Sequence, residues 1–106
     1  MDEQVKQDVQ VLQDESIVNE AFKAHLHGDN DAAIRMLSEF VERWPEHIEA
    51  NYNLAVCLKT TGQTREAARL FRKTQSLIGK VQANQEEVDM RLTMLSEMID
   101  HQLAVM

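Results

Sequence analysis

Four residues punctuate this chain at equal intervals: Gly28, Pro45, Gly62 and Gly79 stand 17 positions apart and include all three glycines and the single proline. A chain with so few breakers offers few places to end a segment, and no stretch sustains the period-two alternation of a half-buried strand. The fold class is therefore all-α. Gly28 follows FKAHLH and precedes DNDAA, the pattern of a helix ending on a glycine cap before another begins on Asp29 or Asn30. Gly62 repeats that pattern, with Thr64 as the N-cap expected for the next helix. Pro45 closes the helix containing FVERW, because the residue before a proline is pushed out of helical geometry. Turns are thus expected near 28, 45, 62 and 79.

Two such intervals make a helix–turn–helix period of 34 residues, and the chain repeats itself at that period. Residues 14–47 laid over 48–81 pair Glu15 with Glu49, Asn19 with Asn53, Ala21 with Ala55, Gly28 with Gly62, Ala33 with Ala67 and Arg35 with Arg69. Apolar residues also fall on apolar residues: Phe22 on Val56, Met36 on Leu70, Leu37 on Phe71 and Trp44 on Ile78. Small side chains occupy the places where two helices could approach closely, and the glycines occupy the turns.

The pattern resembles the tetratricopeptide repeat family. That family has a small residue at position 8, glycine near 15, alanine at 20, an aromatic at 24 and proline at 32. The first copy supplies Ala21, Gly28, Ala33 and Pro45 and departs at Leu37; the second supplies Ala55, Gly62, Ala67 and Phe71 and has Gly79 in place of the proline. Position 4, usually aromatic, holds Ile17 and Asn51, and position 27, usually alanine, holds Phe40 and Thr74. The resemblance implies a helical-repeat solenoid of about five helices in a right-handed superhelical stack, and the length of 106 residues leads to the expectation of one domain over 1–106.

Two repeats leave the ends of a solenoid uncovered. From Ala83 onward there is no glycine or proline, and Val88, Leu92, Leu95, Ile99, Leu103 and Met106 recur at helical steps, so 82–106 is expected to be one capping helix. In the repeat frame Val88 and Leu92 take positions 7 and 11, where such a helix packs on the preceding unit. Residues 1–13 form an amino-terminal extension with a weaker stripe, Val5, Val9 and Leu12.

Composition removes several functions. A net charge of −7 opposes nucleic-acid binding, which needs a clustered cationic face. Cys57 lacks an intrachain partner and falls among apolar neighbours, as a small core thiol does, and a reducing cytoplasmic setting is expected. The amino terminus lacks the features of a signal segment, and nothing approaches a membrane span. His25 and His27 point to different faces of a helix, and His47 and His101 are isolated, so no metal or other cofactor is expected. No phosphate loop, dinucleotide fingerprint or nucleophile elbow is present, and neither enzyme activity nor a small-molecule substrate is expected. Arg65, Arg69, Arg72 and Lys73 read as a solvated outer strip paired with Glu66 and its neighbours.

The resemblance implies a binding surface on the concave side, lined by the first helix of each unit. Here that surface would hold Glu15, Val18, Phe22, Tyr52, Val56, Glu86, Met90 and Met94, with Asn19 and Asn53 placed to fix a bound backbone. The family's clamp for acidic chaperone tails is mostly absent, since Val18 and Phe22 replace its lysine and asparagine. Independently of the family, Met90, Met94 and Met98 form a row on the last helix about 120° from its apolar stripe. One helix cannot bury both against the same neighbour, and methionine rows suit irregular apolar partners. The expected role is a scaffold or adaptor binding an apolar segment of a protein partner. The alternative is self-assembly, a homodimer through the methionine row and the Val5, Val9, Leu12 stripe.

Overall fold

The computed structural model describes residues 16–84, 87 and 89–106. The stripe at Val5, Val9 and Leu12, the groove residues Glu15 and Glu86, and Val88 lie outside the described residues. Helix α1 is described over 16–26, followed by α2 (Asn30–Arg43), α3 (Ile48–Thr60), α4 (Thr64–Ala83) and α5 (Met90–Ala104). No strand occurs among the described residues.

The two repeated glycines do the same job. Gly28 has φ +83° and Gly62 φ +84°, in the left-handed region. The Gly28 N–H donates to His25 O at 3.0 Å and the Asp29 N–H to Ala24 O at 2.8 Å. Thirty-four residues on, Gly62 donates to Lys59 O at 3.0 Å and Gln63 to Leu58 O at 2.8 Å. Each is a Schellman ending, which satisfies the carbonyls a helix terminus would otherwise leave open. An added Cβ meets nothing within 4 Å at either site, so strain alone opposes a larger residue. Gly62→Val is expected to cost about 1–2 kcal/mol in urea unfolding, and an unchanged midpoint would refute the left-handed cap.

The third glycine behaves differently. Gly79 lies inside α4, so the turn expected near 79 does not form. Left-handed capping needs a stop, and none follows at once: Lys80 and Val81 come directly after Gly79, with neither proline nor an N-cap residue among them, while Leu77 and Ile78 are buried on the core face. A mid-helix glycine costs only about 1 kcal/mol, less than the packing it accompanies. The position is exposed with open space where a Cβ would stand. Gly79→Ala is therefore expected to stabilise the domain by about 0.5–1 kcal/mol, the opposite sign to Gly62→Val.

Caps differ between the repeats. Asp29 caps α2, its Oδ1 accepting from Ala32 N at 3.2 Å. At the equivalent end of α4 the N-cap is Gln63, without a side-chain cap bond, and Thr64 is already helical, correcting the expected Thr64 cap. α2 ends at Arg43 just before Pro45, as expected.

Packing follows the 34-residue frame. The paired alanines Ala21 and Ala55, and Ala33 and Ala67, are all fully buried, so the helices approach closely at these points. Leu37, Phe40, Phe71 and Ile78 fill the space around them. Asn51 takes the site where the family carries a large aromatic and is fully buried. Its Nδ2 donates to Pro45 O at 3.1 Å and to His47 O at 2.7 Å, tying the α2–α3 turn to α3. Its Oδ1 has no partner among the described residues. His47 caps α3, Nδ1 accepting from Ala50 N at 3.1 Å, and stands edge-on to Phe40 with ring centroids 5.0 Å apart.

α4 runs on to Ala83, and α5 begins only at Met90 behind its cap Asp89, whose Oδ1 accepts from Arg91 N and Leu92 N. The helix expected from 82 is thus shorter at its start. It is also displaced along the stack. Arg91 stands beside Glu49 and Gln102 beside Lys59, where a strict 34-residue register would place Ala83 and Thr93. Gln82 bonds Thr93 and Gln75 bonds Asp100, so α5 runs antiparallel to α4. The expected apolar stripe packs as predicted where it is described, with Leu92 and Ile99 buried and Leu95 and Leu103 half-buried against the core. The exception is Met106, which is exposed beyond the end of the helix.

Candidate functional site

The structure separates the predicted groove residues into three groups. Val18 is 5% exposed and belongs to the core, because it shares a helix face with fully buried Ala21 three residues on. It offers no surface to a partner. On the same helix Asn19 is exposed, and Phe22 is 48% exposed. Tyr52, Asn53 and Val56 on α3 are half-buried. Tyr52 leans on Phe71, ring centroids 5.9 Å apart, and hydrogen-bonds Gln102 of α5. Burial pushes its phenol above the usual range, with the Gln102 bond partly offsetting that rise.

The methionine row is open: Met90 is 66%, Met94 59% and Met98 49% exposed. Met94 and Met98 also line a groove of about 720 Å³. Its floor is Leu92 and Leu95 of α5 with Ile48 of α3, and Glu46, His47, Glu49 and Arg91 stand around it. A second depression, formed by Met94, Met98, Glu97, His101 and Gln102, adjoins it and shares the two methionines. Arg91 reaches Glu49 at 3.4 Å, so the one arginine lining either depression is already engaged by an acid.

This grouping differs from the one the repeat frame suggests. The displaced register of α5 brings Met94 and Met98 to the start of α3, where Glu46, His47 and Ile48 meet them, residues the sequence reasoning did not select. The signal was Asp89, an N-cap residue directly before Met90-Arg91-Leu92.

Other chemistry is accounted for elsewhere. Cys57 is a buried free thiol whose pKa burial pushes up, which keeps it protonated inside the core. His25 Nδ1 pairs with Asn30 Oδ1 at 2.6 Å, and His27 Nδ1 meets Lys23 O at 2.8 Å. Among the described residues no cluster of histidine, cysteine, aspartate or glutamate could hold a metal, and no helix is long and apolar enough to cross a membrane. Arg65, Arg69 and Arg72 face solvent, and Arg69 donates to both carboxylate oxygens of Glu66, holding that carboxyl below its usual range.

No curated protein and no solved structure matches the chain. The tetratricopeptide repeat family model matches residues 24–77, just over half of its length. That match covers α2, α3 and most of α4, the same stretch in which the glycine endings at Gly28 and Gly62 and the fully buried Ala33 and Ala67 recur at 34 residues. Repeats of this kind mediate contacts between proteins. The chain therefore belongs to the tetratricopeptide repeat family.

Proposed function

We propose that this domain is an interaction module of a scaffold or adaptor, and that it holds an apolar segment of a partner in the groove between the start of α3 and α5. One observation carries the reading: Met94 and Met98 are about half exposed or more while lining two adjoining depressions. Large apolar side chains left together in a concavity favour a partner that covers them. Burying two or three such side chains supplies a few kcal/mol before ordering costs, in keeping with a transient, micromolar-class contact.

Phe22, Tyr52 and Val56, which the repeat frame assigns to the concave side, are the second candidate area, and Phe22 is the exposed one of the three. The two areas are tested separately. Proteins retained from a lysate of the native host by the wild-type domain are compared quantitatively with those retained by Met94→Glu and by Phe22→Glu. A carboxylate placed in the groove is expected to lower retention of the specific partner by at least about tenfold. Equal retention by wild type and Met94→Glu removes the α3–α5 groove, and equal retention by Phe22→Glu removes the second area.

A further inference from the structure

We infer that the occupant of the α3–α5 groove is a cationic amphipathic helix of another protein, an inference that rests on the groove reading above. Charge is the first argument. Glu46 and Glu49 border the groove and Glu97 the adjoining depression, all three exposed. Arg91 is paired with Glu49 at 3.4 Å, and among the described residues neither depression is lined by another lysine or arginine, so Glu46 in the α2–α3 turn and Glu97 on α5 border the methionines as acids. A partner with lysine or arginine flanking its apolar residues meets complementary charge, and an acidic one meets repulsion.

The same charge argument selects among occupants. The amino-terminal 15 residues carry five acids and one lysine, and a second copy of the chain brings −7. Both have the sign of the rim. A foreign cationic segment does not.

The helical form follows from the row itself. Met90, Met94 and Met98 are one turn apart, so the row is straight and about 12 Å long. It matches apolar residues spaced i, i+4 and i+8 on a facing helix. α3 is flanked by α2 and α4, and α4 by α3 and α5, whereas the exposed methionines leave one flank of α5 uncovered among the described residues. A docked helix would lie along α5 as α4 lies along α3. Thioether side chains adapt to whichever apolar residues it carries.

The test uses the full chain and three fluorescein-labelled peptides of equal length. One carries leucines at i, i+4 and i+8 with lysine on both flanks, one has glutamate in place of lysine, and one is the lysine peptide scrambled so that no apolar face forms. Anisotropy titrations are run at low and at high sodium chloride. The lysine peptide is expected to bind at least about tenfold tighter than either of the others, and to weaken several-fold as salt rises. Glu46→Gln with Glu97→Gln is expected to remove most of the preference for lysine over glutamate, and Met94→Ala with Met98→Ala to weaken the lysine peptide at least about tenfold.

Equal binding of the lysine and glutamate peptides, still dependent on Met94 and Met98, overturns the cationic class and leaves the groove standing. Equal binding of the scrambled peptide overturns the helix. Binding indifferent to Met94 and Met98 overturns the groove itself. A dimer seen by sedimentation and abolished by the paired methionine substitutions makes a second copy the occupant and overturns the inference.

Discussion

Phe71→Ala is expected to lower the free energy of unfolding by about 3–5 kcal/mol and the thermal midpoint by more than about 10 °C. Phe71 is fully buried, and its ring touches Tyr52 across the α3–α4 pair, centroids 5.9 Å apart. Truncation removes the transfer energy of the ring and leaves a cavity between helices pinned at close approach by Ala55 and Ala67, so collapse around it is limited. A domain of this size holds about 5–15 kcal/mol in all, so the variant keeps at best about four fifths of its stability. Circular dichroism at 222 nm during urea titration measures it. A loss below about 1 kcal/mol would mean that the α3–α4 interface is not the centre of the fold.

The second large effect is electrostatic and depends on pH. Asn51→Asp is expected to cost about 3 kcal/mol or more at pH 8, with a much smaller penalty at pH 4. The native Nδ2 serves two carbonyls, Pro45 O at 3.1 Å and His47 O at 2.7 Å, from a fully buried position. An ionised carboxylate there donates nothing, faces two oxygens and is desolvated. A neutral carboxyl restores one donor. Its pKa in the folded protein therefore lies above the unfolded value of about 3.9. The penalty is smallest below that unfolded value and reaches its full size as pH rises through the folded one. Urea midpoints of variant and wild type, subtracted at each pH, isolate the change. A difference that is flat with pH would show that the site is open to water.

The helix class and the repeat were legible because their signals are local. Gly28 and Gly62 each carry their own turn chemistry, and Ala21, Ala33, Ala55 and Ala67 mark contacts by size alone. Gly79 resembled them by spacing, yet a glycine ends a helix only where the chain beyond it has somewhere better to go, and the core face of α4 had no such reason to stop. That single difference carried α4 to Ala83, shifted α5 along the stack and placed the methionines near Glu46 and Ile48 rather than level with Val56 on α3. Spacing predicted which α5 residues would be buried. It could not predict their neighbours, because a helix keeps the same amphipathic stripe when it slides along its own axis by whole turns. Val18 was misplaced for a related reason: the frame assigns a position, while burial depends on which neighbours close over it.

The uncovered flank of α5 also shapes how the fold comes apart. In a stack where each helix is stabilised by its neighbours, the free energy of local opening falls toward a helix held along one side only. α5 is such a helix, fastened to α4 and α3 chiefly through Leu92, Ile99 and a few side-chain bonds at Arg91, Thr93, Asp100 and Gln102. The surface that would receive a partner is thus built on a helix with fewer packed neighbours than α3 or α4, and any ligand seated there draws part of its binding energy into holding that helix in place. Recognition and completion of the stack then become one equilibrium, in which occupancy is registered as protection of the last helix.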